Sequence, residues 1–181
     1  MKLNRLWSLL KQRKAITIMQ GETAQWIGDG FACYPVYNLP RLTERVMQTL
    51  LDINDDTWDK FAFYEDNTVS FEEVDFGEEQ IDLSPLTAEI HYHGMDLMPL
   101  IGGGRIFFIH TKYLKPFADT LLLSYAYRKK GGGVIAINEG LLLSAVIAPV
   151  DMSRDKVFEE TLYKLYDLTK RNGGDIDDRR E

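Results

Sequence analysis

The segment from Ile106 to Met152 constrains the fold more strongly than any other part of this 181-residue chain. It begins with a short apolar run, Phe107–Ile109, that predicts a strand, and Thr111 then marks the start of a predicted helix. The apolar residues of this helix recur every three or four positions and would share one face: Leu114, Phe117, Ala118, Leu121 and Leu122. Three runs rich in β-branched and aromatic residues follow: Leu123–Tyr127, Gly133–Asn138 and Leu141–Val150. This order predicts a helix packed across a meandering sheet.

Two further features of the sequence predict the same kind of fold for the rest of the chain: turn signals between the last strands, and a similar order of helices and strands in the N-terminal part. Gly131-Gly132-Gly133 and Glu139-Gly140 separate the last three strands, and short connections of this kind join antiparallel strands. The N-terminal part has a comparable order: an amphipathic helix, a short strand, a hairpin that turns at an Asp-Gly pair, and a second helix. These elements are Lys2–Gln12, Ala15–Gln20, Ala24–Tyr37 with Asp29-Gly30 at its turn, and a helix from Pro40 with apolar positions Leu42, Val46, Leu50 and Ile53. The sequence therefore predicts an α+β fold with antiparallel meandering sheets backed by helices.

Charge is distributed very unevenly along the chain. The segment Asp52–Glu89 holds 13 acidic residues and a single basic residue, Lys60, whereas residues 1–20 hold five basic residues and no acidic one. Within the acidic segment, 60–64 and 68–74 alternate like strands, and 81–89, which contains Pro85, has the pattern of a loop. Solvated surface explains any one of these clusters. A basic surface that faces nucleic acid and an acidic surface that faces away is the alternative, despite the net charge of −7.

The composition also bears on the compartment. Cys33 is the single cysteine, so an intramolecular disulfide is excluded and a reducing compartment is expected. The first residues mix basic side chains with leucines and lack the apolar core of a signal peptide. No apolar run approaches the ~20 residues that a membrane-spanning helix needs. We expect a cytoplasmic protein without a membrane partner.

The sequence contains few candidates for chemistry. His91 and His93 could share one strand face and bind a metal with Asp96, but no further cluster of His or Cys supports such a site. The run 102–105, Gly-Gly-Gly-Arg, lacks the Gly-Lys-Ser/Thr ending of a phosphate-binding loop and precedes a strand. No nucleophile lies at a recognisable spacing from a base. We therefore expect no catalysis, no cofactor and no bound metal.

Two parts of the chain resemble DNA sliding clamps, the polymerase processivity factors. Residues 23–37 contain Trp26-Ile27-Gly28-Asp29-Gly30-Phe31-Ala32, which is similar to the hairpin that precedes an inner helix in clamp domains. Phe107–Leu122 and Gly133–Met152 resemble the helix and the closing strands of the same fold. Bacterial clamps finish in an apolar-Pro-apolar run similar to Val146-Ile147-Ala148-Pro149-Val150. The resembling pieces cover about half of the chain.

The resemblance implies both a function and two sets of site residues. In a clamp the helices face DNA, which places four basic side chains there: Arg41, Arg45, Lys112 and Lys115. The closing strand helps to form a pocket for partner peptides, whose equivalents are Ala148, Pro149, Val150 and Met152. The implied function is a non-enzymatic accessory role in DNA replication or repair, with non-specific binding of DNA, of a polymerase, or of both. The alternative is an acidic regulatory protein that uses the same fold to dock a protein partner without DNA.

The expected organisation is one clamp-like domain over residues 1–174. It would contain two loosely similar halves, at about 1–90 and 100–152, and a C-terminal helix over 153–172 that Ser153 caps. Residues 175–181 would form a disordered tail. A clamp ring uses six such domains, and its closing strand lies at the C-terminus, whereas here a helix follows. We therefore expect a monomer or a dimer rather than a ring.

Overall fold

One large sheet organises the first unit of the computed structural model, which describes residues 1–21, 23–66, 71, 80–129, 132–152 and 155–173. The strands are β1 (Ala15–Gln20), β2 (Gln25–Gly28), β3 (Ala32–Val36), β4 (Ala62–Asp66), β5 (Gln80–Pro85), β6 (Ile90–Tyr92), β7 (Met95–Gly102), β8 (Arg105–His110), β9 (Leu123–Arg128), β10 (Val134–Glu139) and β11 (Leu142–Ile147). The helices are α1 (Leu3–Arg13), α2 (Glu44–Leu50), α3 (Asp55–Trp58), the 3-10 helix η1 (Thr111–Phe117) and α4 (Lys156–Gly173). The predicted α+β class with antiparallel, meandering strands is confirmed.

The strands form two meanders that share one sheet. Their order is β4-β1-β2-β3-β11-β10-β9-β5-β7-β6, and β8 pairs with β7. All of these pairs are antiparallel except β1 with β4. The N-terminal meander meets the C-terminal one where β3 pairs with β11, in the register Cys33 with Val146 and Ala32 with Ile147. Strands that are distant in sequence therefore form the centre of the sheet.

The β2–β3 hairpin turns at Asp29-Gly30, as its sequence predicts. Gly30 has a φ of 86°, which a residue without a Cβ adopts at no steric cost. Gly28 is required for space, since a Cβ at that position would lie 2.0 Å from the carbonyl oxygen of Ala32. The two backbones therefore approach each other closely just before the turn.

The main core lies between the sheet and the helices α1, α2 and η1. Helix α1 contributes Leu6, Leu9 and Leu10, which are buried, and it ends at Lys14 in a left-handed conformation. Helix α2 contributes Met47, and η1 contributes Tyr113 and Phe117. Burial of these side chains holds the three helices against the sheet.

The predicted helix from Thr111 to Leu122 is wrong beyond Phe117. The segment forms a 3-10 helix that contains Pro116, and it ends with Ala118 and Thr120 donating to carbonyls three residues earlier. Proline lacks an N–H group, and in the interior of an α-helix its ring clashes with the preceding turn. Leu121 and Leu122 consequently lie outside the helix and are exposed.

Two further segments differ from the sequence interpretation. The segment 81–89, expected to be a loop, begins as β5, and Pro85 stands at the last position of that strand. Strand β7 passes through Pro99, although proline predicted a break there. Helix α2 begins four residues after Pro40, where the hydroxyl of Thr43 accepts a hydrogen bond from the N–H of Val46. The predicted strand at 68–74 falls outside the described residues apart from Phe71.

The chain forms two compact units, Met1–Pro149 and Val150–Glu181. In the second unit α4 occupies 18 residues, close to the predicted helix. The carboxylate of Asp155 accepts a hydrogen bond at 3.1 Å from the N–H of Phe158 near the start of α4. The predicted cap, Ser153, and the predicted disordered tail at 175–181 lie outside the described residues.

Candidate nucleic-acid interface

Helices α1 and η1 lie against each other in the first unit. The N–H of Lys2 donates to the carbonyl of Pro116 at 2.8 Å, and the guanidinium of Arg5 donates to the carbonyl of Lys115 at 3.4 Å. The hydroxyl of Tyr34 donates to the carbonyl of Tyr113 at 2.8 Å, which fixes η1 to strand β3. The buried faces of both helices belong to the same core. The two helices are therefore held side by side on the same core.

A groove runs along the contact between the two helices. Its volume is about 250 Å³, and it is lined by Arg5, Ser8, Leu9, Gln12, Lys115 and Ala118. Of these side chains, Arg5 and Lys115 are cationic, and Ser8 and Gln12 are neutral polar groups. The groove therefore combines an apolar floor, to which Leu9 and Ala118 contribute, with two cationic side chains, Arg5 and Lys115.

Charge on the two helices has one sign. Helix α1 with its two cap residues carries five basic side chains, η1 carries two, and neither element contains Asp or Glu. Asp119, just beyond η1, forms ion pairs with Lys2 and, at 3.3 Å, with Arg5. The hydrogen bond from Lys2 holds the pKa of Asp119 below its ordinary value. This carboxylate neutralises only a fraction of the positive charge.

A buried carboxylate organises the other end of the α1–η1 pair. Asp29 lies at the hairpin turn with its side chain 1% exposed, and its Oδ1 atom accepts from the N–H groups of Phe31 and Ala32 at 3.0 and 3.1 Å. Its Oδ2 atom accepts from Arg13 Nε and from the hydroxyl of Tyr113, each at 3.0 Å. One carboxylate therefore joins the end of α1, the β2–β3 turn and the start of η1.

Lys112 lies beside this carboxylate together with a second cation. Its Nζ atom is 4.7 Å from the centre of the Tyr113 ring, a cation–π contact. Burial lowers the pKa of Lys112, the positive charge of Arg13 lowers it further, and Asp29 acts in the opposite direction. Lys112 and Arg13 therefore lie on either side of the Asp29 carboxylate region, where Arg13 is already paired with that carboxylate.

The basic side chains predicted to face DNA fall into two groups. Lys112 and Lys115 lie on η1, and the contacts of the described residues bring them next to Arg13 and Arg5 of α1. Arg41 lies three residues before α2, Arg45 lies in its first turn, and both are exposed. Their DNA contacts stay a prediction. Arg5 and Arg13 were not predicted as site residues, although the absence of acidic residues from positions 1–20 was a signal for them.

The predicted partner-peptide pocket lies at the end of the sheet and beyond it. Ala148 follows β11 and donates its N–H to the carbonyl of Phe31 at 2.7 Å. Pro149 ends the first unit, whereas Val150 and Met152 belong to the second. A peptide pocket formed by these four residues stays a prediction.

The histidines are arranged differently from the metal-site alternative. His91 pairs with Asp96 across β6 and β7, with Nδ1 2.8 Å from Oδ1, but His93 lies in the turn with a φ of 47°. The two histidines are therefore not alternate residues of one strand. Within the described ranges, no group of three or more His, Cys, Asp or Glu side chains is placed to hold a metal ion. The helices described there also include none long and apolar enough to cross a membrane.

The chain matches no protein-family model, no curated protein and no solved structure.

Proposed function

We propose that the protein is a non-catalytic, clamp-like accessory factor of DNA replication or repair that acts in the cytoplasm. In this proposal it binds duplex DNA without sequence choice through the basic α1–η1 surface, defined as Arg5, Arg13, Lys112 and Lys115. The observation that carries the proposal is the packing of α1 against η1, since these neighbouring elements, α1 taken with its cap residues, carry seven basic side chains and no acidic one.

The spacing of the cations fits a repetitive polyanion. Arg5 and Arg13 are eight residues apart on α1, which corresponds to about 12 Å along the helix axis. Each strand of duplex DNA carries a phosphate about every 3.4 Å, so both side chains can meet the backbone of one duplex. Contacts from Lys and Arg to phosphates carry no sequence information, which accounts for binding without sequence choice.

The experiment measures DNA affinity as a function of salt. A labelled duplex is titrated with the protein and followed by fluorescence anisotropy, and Lys112→Gln/Lys115→Gln is compared with the wild type. Loss of two phosphate contacts should weaken binding and reduce the slope of log affinity against log salt by about 2. Lys60→Gln/Lys129→Gln removes the same charge from two exposed positions of the first unit outside α1 and η1, and it should change neither quantity beyond the common effect of net charge.

Two results would count against DNA binding by this surface. One is the absence of binding by the wild-type protein at low salt. The other is an equal loss of affinity in the two double variants, which would make the effect one of net charge alone.

A second candidate function uses the acidic segment as a docking surface for a basic protein partner. Four exposed carboxylates of this segment lie in or next to the short helix α3: Asp52, Asp55, Asp56 and Asp59. Such a surface favours association with a basic partner and repels DNA. This function predicts that the protein binds no DNA at low salt but binds a basic protein such as histone or lysozyme. The double variant Asp55→Asn/Asp56→Asn should abolish that binding.

A further inference from the structure

An exposed aromatic residue, Phe31, lies at the tip of the β2–β3 hairpin. It retains 54% of its accessible surface, although the five residues of β3 that follow it are all buried. The preceding Gly30 borders open space, since a Cβ added there would meet no described atom within 4 Å beyond its chain neighbours. A ligand can therefore reach the tip of the hairpin and the ring of Phe31.

Hydrogen bonds fix the backbone of Phe31 from both directions. Its N–H donates to Asp29 Oδ1 at 3.0 Å, and its carbonyl accepts from the N–H of Ala148 at 2.7 Å. Asp29 in turn is buried and accepts from Arg13 of α1 and Tyr113 of η1. The exposed ring is therefore carried by a backbone that is tied to both helices, and such preorganisation reduces the entropy lost on binding.

A guanidinium group lies over the ring of Phe31. The Cζ atom of Arg13 is 5.4 Å from the ring centroid, a cation–π contact. The Nε atom of Arg13 donates to Asp29 at 3.0 Å, which orients the guanidinium, and the Arg13 side chain is still 38% exposed. One guanidinium can cover only one face of a ring. The aromatic surface that stays exposed therefore lies directly beside a fixed cation.

Further positive charge lies at this end of α1 and η1. Lys14, which follows Arg13 as the C-cap of α1, is exposed, and Lys112 is close enough to Arg13 and Asp29 to be affected by the charge of each. The carboxylate of Asp29 is 1% exposed and is paired with Arg13. An approaching ligand therefore meets an aromatic ring with cations around it, while the neighbouring carboxylate is buried.

The ring and the cations together fit an unpaired nucleobase with its phosphates. Proteins hold single strands by stacking bases on aromatic side chains while basic groups contact the backbone, and this stacking tolerates any base because each has a π-face. An acidic peptide would pair with the cations and leave the ring of Phe31 exposed. Bases inside a duplex already stack on each other. The expected ligand is therefore a base at a single-stranded end or gap.

We infer that Phe31 stacks on an unpaired base of DNA held by the basic α1–η1 surface, so that the protein prefers a duplex with a single-stranded overhang to a blunt duplex. This inference rests on the proposed function, to which it adds the kind of DNA end that is bound. The two contributions differ in their response to salt. Phosphate contacts weaken steeply as salt is added, whereas stacking on an uncharged ring releases no counterions.

Fluorescence anisotropy with two labelled DNAs tests this inference: a duplex with an oligothymidine overhang, and a blunt duplex with the same number of phosphates. Phe31→Ala should bind the overhang DNA about 10-fold more weakly than the wild type, with the same salt slope, and should bind the blunt duplex equally well. Phe31→Trp should retain the preference, whereas Phe31→Leu, which keeps apolar bulk without a π-face, should lose it. Tyr64→Ala, at an exposed aromatic position of β4, is the control and should behave as the wild type.

Tryptophan emission gives a second measurement, because a base that stacks on an indole quenches it. The overhang DNA should quench the emission that Phe31→Trp adds to the wild-type signal, and it should not quench the emission that Tyr64→Trp adds.

The outcomes separate this inference from the proposed function. Equal binding of the overhang DNA by Phe31→Ala and the wild type, with blunt duplex still bound, would overturn the inference and leave the proposed function standing. Binding of the overhang DNA alone, lost in Phe31→Ala, would refute duplex binding and keep the stacking role. Absence of binding to either DNA at low salt would refute both. Binding of anionic lipid vesicles that is lost in Phe31→Ala, with DNA binding unchanged, would assign the ring to a membrane surface and overturn the inference.

Discussion

Tyr113 donates its hydroxyl hydrogen bond to Asp29 at 3.0 Å, across 84 residues of sequence. Arg13 donates to the same oxygen of Asp29 from the end of α1. Burial raises the pKa of Tyr113, and the negative charge of Asp29 raises it further, so the phenol stays protonated as a donor throughout the physiological range. The buried carboxylate therefore fixes both helices of the basic α1–η1 surface.

Asp29→Asn should lower the free energy of unfolding by about 2–3 kcal/mol, because an amide group cannot replace both oxygens of a buried carboxylate. One oxygen accepts two backbone N–H groups and the other accepts Arg13, so the amide nitrogen would face a donor in either orientation. Urea unfolding measures the loss. Asp56→Asn, at an exposed position, should stay within about 0.5 kcal/mol of the wild type. Equal effects of the two variants would contradict the role of Asp29.

Lys112→Gln should weaken DNA binding without lowering the melting temperature. Burial and the charge of Arg13 lower the pKa of Lys112, so the folded state disfavours its charged form relative to the unfolded chain. Removal of that charge should therefore leave the melting temperature unchanged or slightly higher, in spite of the lost contact with the Tyr113 ring. Calorimetry and anisotropy on the same sample measure the two effects. A lower melting temperature with unchanged DNA affinity would indicate a purely structural lysine.

Glu139→Gln should lower the melting temperature at neutral pH, and this difference should disappear in acid. Burial acts to raise the pKa of Glu139, but hydrogen bonds from Thr120 and the N-terminal amine outweigh it and hold the pKa below its ordinary value. The carboxylate therefore stabilises the fold above pH ~4.3, and this contribution is lost as the pH falls through the depressed pKa. We expect a loss of about 1 kcal/mol at pH 7. Glu89→Gln, at an exposed position, serves as the control; a Glu139→Gln deficit of unchanged size in acid would exclude this electrostatic origin.

Cys33 should not react with a thiol reagent in the native protein. Burial, and then the negative charge of Asp29, raise its pKa to about 12, so the thiolate is scarce at neutral pH. Labelling with a chromogenic disulfide reagent should be complete in denaturant and should otherwise proceed only through unfolding. Rapid, stoichiometric labelling without denaturant would show that the β3 region opens readily.

The sequence predicted those elements whose signals are local. The β2–β3 hairpin follows from the Asp-Gly turn, and the run of strands after residue 123 follows from β-rich segments between glycines. The end of η1 was placed too late, because the apolar spacing of Leu121 and Leu122 continues a helical pattern that Pro116 interrupts. Periodicity cannot distinguish leucines that pack from leucines that project into solvent.

The candidate site was predictable only in part for a related reason. Lys112 and Lys115 were selected because of the helix on which they lie, and that helix is present. Arg5 and Arg13 join them through packing between elements about 100 residues apart, which no local pattern encodes. Asp29 was identified as a turn residue, but its role as a shared acceptor depends on Tyr113, which only the fold brings near.

The junction between β3 and β11 has a consequence for the time course of folding. Within β1–β2–β3 and within β9–β10–β11 the paired strands are neighbours in sequence, and hairpins of this kind form in about 1–10 μs. Cys33 and Val146, in contrast, meet across more than a hundred residues, so their pairing must overcome the entropy of a long loop after the hairpins exist. Closure of this junction, together with the docking of α1 on η1, should be the slow step. A chain arrested before it would present the open edges of two half-sheets, and these are the surfaces through which we expect misassembly between copies.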